Sequence, residues 1–283
     1  MLAGASLFGT VGTAQALGPD VPPSSLAAAR MLLTAVLFVG VAVLIGRAPA
    51  TARMFRHGPA WTAGAGQGAF NLFFLAAMKE AGVAVGTLVA IGAAPIVTGL
   101  ITRHVTRTWL AATSVAVAGL VLLVGGQGTG QGPSVLGVGL ALGAAASYAT
   151  YIVSGNAAEA RGLDTQPFLA AAFTVSAVVT LPWLLLGELS WAATGGGAAL
   201  LAYLVLVPTL VAYSLFNRGL RGVRSSTAAT LALIEPVVAA SLAFLVLGER
   251  LGASGLVGAA MILLGLLVIV RSTASAEEST VTA

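Results

Sequence analysis

The sequence predicts an all-α integral membrane protein, and its composition, its long apolar segments and the placement of its basic residues support that prediction. Of 283 residues, 58% are apolar and only 8% are charged, against roughly 25% charged residues in a typical soluble domain. A soluble protein of this composition would precipitate. The chain has no cysteine, which excludes disulfides, thiolate metal sites and cysteine nucleophiles.

Ten segments are long and apolar enough, or nearly so, to cross about 30 Å of hydrocarbon as helices. In chain order they are residues 2–17, 25–46, 60–78, 83–102, 109–125, 134–155, 166–187, 197–217, 226–247 and 253–270. The first has no basic flank, so we interpret it as a true helix and not as a cleaved signal peptide. The connections are short, and residues 272–283 are predicted to form a disordered cytoplasmic tail.

The basic residues predict how these helices lie in the membrane, because Lys and Arg are enriched in short cytoplasmic loops. With both termini in the cytoplasm, the outer connections contain only Lys79 and Arg250, and Arg30 lies inside the second span. The cytoplasmic connections contain the other ten, which are Arg47, Arg53, Arg56, Arg103, Arg107, Arg161, Arg218, Arg221, Arg224 and Arg271. This distribution favours the stated orientation and an even number of spans.

The two halves of the chain resemble each other at an offset of 140 to 142 residues. The matched pairs are Phe8 with Tyr148, Gln67 with Thr209, Asn71 with Tyr213 and Pro95 with Pro236. The repeats, residues 1–125 and 134–271, have five predicted spans each, so they must enter the membrane from opposite sides. Inverted repeats of this kind place a binding site near the midplane and give alternating access. The glycine-rich residues 126–133 are predicted to be an extracytoplasmic linker.

Polar side chains inside the predicted spans are the candidates for a binding site, because such groups need partners or a wet cavity in a bilayer. In the first repeat they are Gln15, Arg30, Gln67 and Asn71, of which the last two share a helix face. Two interpretations of Arg30 are open. Its guanidinium reaches the outer headgroups, or it pairs with a substrate carboxylate or with an acid such as Glu235.

The second repeat has a polar stripe on its third span. Thr209, Tyr213 and Asn217 recur at i, i+4 and i+8, and the repeat predicts that their face meets Gln67 and Asn71 around one cavity. Hydrogen bonding between helices, without a ligand, is the alternative.

Two tyrosines on the sixth span, Tyr148 and Tyr151, are predicted to add an aromatic wall together with Gln15. An aromatic ring over a cation or an apolar side chain is a plausible selectivity element. For Tyr151, anchoring at the membrane interface is equally open.

Glu235 is the only charged residue between positions 228 and 248, and Pro236 follows it directly. Desolvation penalises the charged form of a carboxyl, so Glu235 is a candidate for binding and releasing a proton. We predict that it forms a coupling hinge with Pro236, with Pro95 at the related position of the first repeat. The alternative is structural: Glu235 satisfies backbone groups that proline leaves unpaired. Only one repeat contains the acid, because Ala94 matches Glu235.

The chain resembles the drug/metabolite transporter superfamily, and within it the ten-helix EamA-type permeases. The resemblance covers nearly the whole chain and is clearest in SLAAARMLL around Arg30, in FNLFFLAAMKEAGVAVGTLVAIGAAP, and in YSLFNRGLRGVRSSTAATLALIEPVVAASLAFLVLGERLG. After the fourth helix, where the family often has Gly-Glu, this chain has Arg103, His104 and Arg107. The resemblance implies secondary transport of small polar metabolites, often amino acids.

The leading hypothesis is therefore a secondary transporter of the cytoplasmic membrane that exports small polar metabolites, with or without proton coupling. A passive facilitator or channel is the alternative. Enzyme chemistry is not expected, since HExxH, a nucleophile elbow and paired carboxylates are all missing. No cofactor and no metal are expected either. Nucleic acid and ATP are not expected partners, because the arginines are dispersed over loops and the sequence has no nucleotide motif. Membrane lipids are expected partners.

Overall fold

The computed structural model describes residues 1–103, 105–125, 134–248 and 252–281, and all regular structure in these ranges is helical. The first half comprises α1 (Leu2–Phe8), α2 (Thr10–Leu17), α3 (Pro23–Leu44), α4 (Ala48–Met54), α5 (Gly58–Ala81), α6 (Val83–Thr102) and α7 (Arg107–Gly125). The second comprises α8 (Val135–Ala160), α9 (Thr165–Leu186), a 3₁₀ turn (Ser190–Ala193), α10 (Gly195–Val205), a π-helical segment (Leu206–Val211), α11 (Ala212–Arg218), α12 (Ser225–Leu231), α13 (Ile234–Leu247) and α14 (Ala253–Val281).

Within the described ranges, eight helices or helix runs are long and apolar enough to cross a membrane. The two predicted spans outside this set are residues 2–17, which divide into α1 and α2, and residues 60–78, which lie in α5. That helix has 24 residues, but its glycines and its polar residues Gln67 and Asn71 make it less apolar. The count of ten spans stays a prediction, and the linker 126–133 lies outside the described residues.

Two predicted spans are interrupted at proline. Proline has no N–H and its ring clashes with the carbonyl four residues earlier, and both interruptions lie where that clash occurs. Around Pro208 the chain is π-helical, and the Leu204 carbonyl accepts a hydrogen bond from Thr209 Oγ1 at 2.6 Å. Before Pro236 the helix stops at Leu231, and Glu235 N donates to Ala232 O at 3.0 Å.

A third interruption lies between α1 and α2, at Gly9. A Cβ at this position would lie 2.6 Å from the backbone oxygen of Glu235. The first helix therefore bends where it approaches the break before Pro236.

The last helix is longer than expected. Residues 272–281 continue α14, where a disordered tail was predicted from their polarity. The segment contains no glycine or proline after Gly265, and its alanines and glutamates favour helix.

The helices pack in pairs drawn from opposite halves of the chain. α3 packs on α9, α7 on α14, and α5 on both α8 and α9, while α1 packs on α11 and α13. Close approach requires glycine where α7 crosses α14, because a Cβ on Gly119 would lie 2.6 Å from Gly258 O.

The bundle has two ends that the connections define. At the arginine-rich end, Arg47, after α3, forms an ion pair of 2.9 Å with Asp164, before α9. The connection 219–224, between α11 and α12, contacts the end of α8 there. At the opposite end, Trp191 of the 3₁₀ turn donates from Nε1 to Ser25 Oγ of α3 at 3.1 Å.

Candidate functional site

A cavity of about 130 Å³ lies between α1–α2, α3, α5, α6, α8, the π-helical segment with its flanking helices, and α13. Its polar lining consists of Gln15, Arg30, Asn71, Tyr148, Thr209, Tyr213 and Glu235. Its apolar lining includes Phe8, Leu26, Phe70, Phe74, Met78, Ile91, Leu204 and Pro208. The volume is below the roughly 300–1,000 Å³ of sites for drug-sized ligands, so the cavity suits a small solute.

The cavity extends toward the opposite end of the bundle. Its lining reaches Pro23, the first residue of α3, and Met78, in the last turn of α5. Of the described residues that line it, none belongs to the connections 161–164 or 219–224. The cavity therefore does not reach these two connections at the arginine-rich end.

Arg30 lines this cavity, and its guanidinium is bound to α5. Its two interpretations, contact with the headgroups and pairing with a substrate carboxylate or with Glu235, both stay predictions. Its Nη2 donates to Asn71 Oδ1 at 2.8 Å, and Asn71 Nδ2 donates to Gln67 O at 2.8 Å. The Nε of Arg30 is buried without a protein partner. The Arg30 guanidinium is thus held by α5, and its Nε has no hydrogen-bond acceptor in the protein.

Glu235 lies on the first turn of α13, directly after the helix break, and lines the same cavity. Arg30 and Glu235 are not joined by either ion pair found in the described part of the chain. Pro236, which follows the acid in the chain, is buried. The cavity therefore contains one fixed cation and one carboxyl group that are available separately.

Aromatic rings form much of the wall. The ring of Tyr213 lies 4.8 Å from that of Phe8 and 5.0 Å from that of Phe173 between centroids. Tyr148 packs on Phe70 at 5.3 Å, and its hydroxyl is buried without a partner. Of the predicted aromatic wall, Tyr148 and Gln15 line the cavity and Tyr151 does not, whereas Tyr213 does.

The predicted site residues that do not line the cavity lie behind it. Asn217 Nδ2 donates to the hydroxyl of Tyr151 and to Tyr213 O, the latter at 3.0 Å. Tyr151 is fully buried, so it is not an interfacial anchor. Gln67 is also buried and supports Asn71.

Proline positions complete the set of predicted residues. Pro95 lies inside the continuous helix α6 and outside the cavity lining, so it does not repeat the break at Pro236.

Sequence reasoning missed the apolar lining. Phe70, Phe74 and Met78 follow one face of α5 at spacings of four, beside Asn71. This spacing was readable, but an apolar face of a membrane helix contacts lipid as readily as a cavity. Pro208 was missed as well, because proline alone does not predict a π-helical segment. The described part of the chain holds no cluster of His, Cys, Asp or Glu suited to a metal ion.

Comparisons with known proteins agree with this architecture. A family model described as the EamA-like transporter family matches residues 135–271. The chain is 36% identical over 282 residues to a Bacillus subtilis (strain 168) protein described as uncharacterized transporter YwfM, covering 95% of this chain and 92% of that protein. An Archaeoglobus fulgidus protein described as an uncharacterized transporter is 37% identical over 91 residues, covering 27% of this chain and 34% of its own.

The fold is also found among solved structures. One crystal structure matches with a TM-score of 0.82 and covers 97% of this chain and 96% of its own, at 20% identity. At that identity the likeness shows the fold alone. The full-length relative and the matching family model show more. The chain therefore belongs to the EamA-like transporters of the drug/metabolite transporter superfamily and is a multi-pass transporter of the cell membrane, not an enzyme.

Proposed function

We propose that the protein exports small zwitterionic metabolites, amino acids or related compounds, by alternating access coupled to protons. The observation that most supports this is the composition of the cavity, whose lining contains Arg30, Glu235 and several aromatic rings. A zwitterion carries a carboxylate for the guanidinium and an ammonium for the acid. The volume of about 130 Å³ suits a solute of that size.

The second support is the arrangement of the helices. In an inverted repeat, the contact of α5 with α8 corresponds to that of α11 with α1, and both are present. Exchanging the two repeats turns α3 into α9 and α7 into α14. The contacts of α3 with α9 and of α7 with α14 are therefore unchanged by this exchange, and both are present. We therefore propose ten spans in two inverted five-helix repeats, with both termini in the cytoplasm. In this orientation the cavity faces outward.

Coupling follows from competition at one carboxyl group. A proton and a substrate ammonium both favour the same Glu235 oxygens, and an uncompensated buried carboxylate is unfavourable. Proton entry from outside then displaces the substrate, and the protonated carrier returns to the cytoplasmic side. A ligand shifts such an equilibrium only by its difference in affinity for the two states. Glu235, beside the break at Pro236, is the group that would supply this difference.

The test is transport into proteoliposomes under an imposed pH gradient, with a panel of labelled amino acids, purines and sugars. Concentrative uptake of an amino acid is expected, and a protonophore should abolish it. Glu235→Gln should lose concentrative uptake but still exchange labelled for unlabelled substrate, because the amide retains polar contact without titrating. Glu80→Gln, an exposed acid at the end of α5, is the matched control and should behave as the parent.

Full concentrative uptake by Glu235→Gln would contradict coupling at this residue. Uptake by the parent that equilibrates but never concentrates would show a passive facilitator instead.

A further inference from the structure

A polar contact at the arginine-rich end joins α8 to the connection 219–224. This connection links α11, which follows the π-helical segment and contains Tyr213, to α12, which leads to Glu235. Since α8 itself contains Tyr148, the contact joins two helices that line the cavity, α8 and α11, to α12, which leads into α13. A movement that opened the cavity at this end would have to break it.

Asn156 is the centre of this contact. Its Nδ2 donates to Leu220 O at 3.3 Å and to Val223 O at 3.0 Å, and its Oδ1 accepts from Ser225 Oγ. The Leu220 carbonyl also accepts from Val223 N, at 3.1 Å. One amide therefore holds the connection at both of its sides.

Glu159 extends the contact by one turn of α8 on the same face. Its carboxylate accepts from Arg221 Nε at 3.1 Å and from Thr165 Oγ1 at 3.0 Å. The side chain of Arg221 is 62% exposed, so this ion pair contributes little alone. Asn156 is the stronger part.

The opposite end lacks the corresponding groups. At the predicted repeat offset of 140 residues, Ala16 matches Asn156 and Pro19 matches Glu159. Neither side chain can donate or accept a hydrogen bond. The cavity extends toward this same end, and its lining includes no residue of the connection 219–224.

We propose that Asn156 and Ser225, with Glu159, form a latch that holds the cavity closed at the arginine-rich end and must be released for the cavity to open there. The inference rests on the proposed alternating access. The latch stabilises one of two states, so weakening it shifts the population toward the other. Leu220, which is buried, would leave its packing in the same step.

The test uses the lack of native cysteine. Ala158→Cys places a thiol at a position of α8 that is 2% exposed and belongs to the same buried cluster as Leu220 and Tyr151. Asn156→Leu keeps the size of the side chain and removes its three hydrogen bonds. We expect it to accelerate modification of this thiol by a water-soluble maleimide by about tenfold or more, a factor that corresponds to 1.4 kcal/mol.

Two further variants keep the test decisive. Ser225→Ala removes a single hydrogen bond and should accelerate modification less, in the same direction, if Asn156→Leu folds poorly. Asp164→Asn removes the ion pair with Arg47 at the same end without touching the connection 219–224, and should change nothing. Modification rates are compared only between variants whose melting temperatures in detergent are equal.

Unchanged modification in folded Asn156→Leu and Ser225→Ala would overturn the latch. The assay needs no substrate, so its result does not depend on the proposed substrate or on proton coupling. Faster modification supports the latch even if no member of the panel is transported. Unchanged modification overturns it even if Glu235 proves to couple protons.

Discussion

At the scale of single residues, the cavity separates a cation from an acid within one small space. Arg30 is fixed by Asn71, which Gln67 fixes in turn, so its guanidinium is oriented before any ligand arrives. Preorganised donors lose less conformational freedom on binding than mobile ones. The Nε of Arg30 is buried and has no hydrogen-bond partner in the protein, so a carboxylate that reached it would gain a charge-assisted hydrogen bond.

Replacing this cation should therefore remove recognition of the substrate carboxylate. Arg30→Met has a similar shape and no charge, and a charge-assisted hydrogen bond is worth about 1.5–3 kcal/mol, so binding of an amino acid should weaken about 10- to 100-fold. The measurement compares each transported amino acid with its carboxamide. The parent should prefer the acid and the variant should lose that preference; a variant that keeps it would assign Arg30 a structural role.

At the scale of helices, the apolar segments of the sequence show where helices occur but do not show where those helices are interrupted. Pro95 and Pro182 lie in continuous helices, whereas the chain changes at Pro208 and before Pro236. Proline disturbs the helix at every one of these positions, and the neighbours determine how the disturbance is accommodated. Thr209 Oγ1 binds the displaced carbonyl at one site. Such compensation depends on tertiary packing and could not be predicted from one sequence.

Helical spacing also determines which candidate residues could be predicted from the sequence. Polar residues at helical spacing, such as Asn71 and Tyr213, were predicted to meet, and both line the cavity. Asn217 belongs to the same stripe but lies behind the cavity, because its amide bonds Tyr151 and the Tyr213 carbonyl. Helical spacing shows which side of a helix a residue lies on, but not how far it lies from the cavity. Spacing alone therefore could not separate residues that line the cavity from residues that lie behind it.

The crossing of α7 with α14 gives a prediction about stability. A Cβ on Gly258 would collide with the backbone of Gly119 and Leu123, and overpacking of this kind costs about 1–3 kcal/mol. Gly258→Ala should lower the melting temperature in detergent. Gly139→Ala in α8, where nothing lies within 4 Å of the added Cβ, is the matched control and should be neutral. Equal melting temperatures for the two variants would contradict the close crossing.

At the scale of the whole molecule, the two halves share an arrangement of contacts but not its details. Residues at or next to the three helix breaks, namely Phe8, Pro208 and Glu235, line the cavity, whereas α5 and α6 are continuous. The half of the chain with the acid thus also contains two interrupted helices. Bending is expected where hydrogen-bond ladders are already incomplete, so α10–α11 and α12–α13 are the segments expected to move.

Sidedness is the last prediction, and the absence of cysteine makes it directly measurable. Asp20 and Glu188, one from each half of the chain, lie at the end of the bundle opposite the arginine-rich end. If the chain has ten spans and cytoplasmic termini, Asp20→Cys and Glu188→Cys should react with an impermeant maleimide in intact cells. Arg56→Cys and Arg161→Cys should react only after permeabilisation, because positively charged connections remain in the cytoplasm. Met78→Cys, in the cavity wall, should react from outside.

Each result tests a separate part of this arrangement. If the two members of either pair reacted from different sides, the chain would have an odd number of spans between them, and the inverted repeat would be wrong. If both pairs exchanged sides together, the repeat would stand but the orientation would be reversed. The cavity would then face the cytoplasm, and the latch at Asn156 would close the outer side, so that release of substrate, not its uptake, would depend on breaking it.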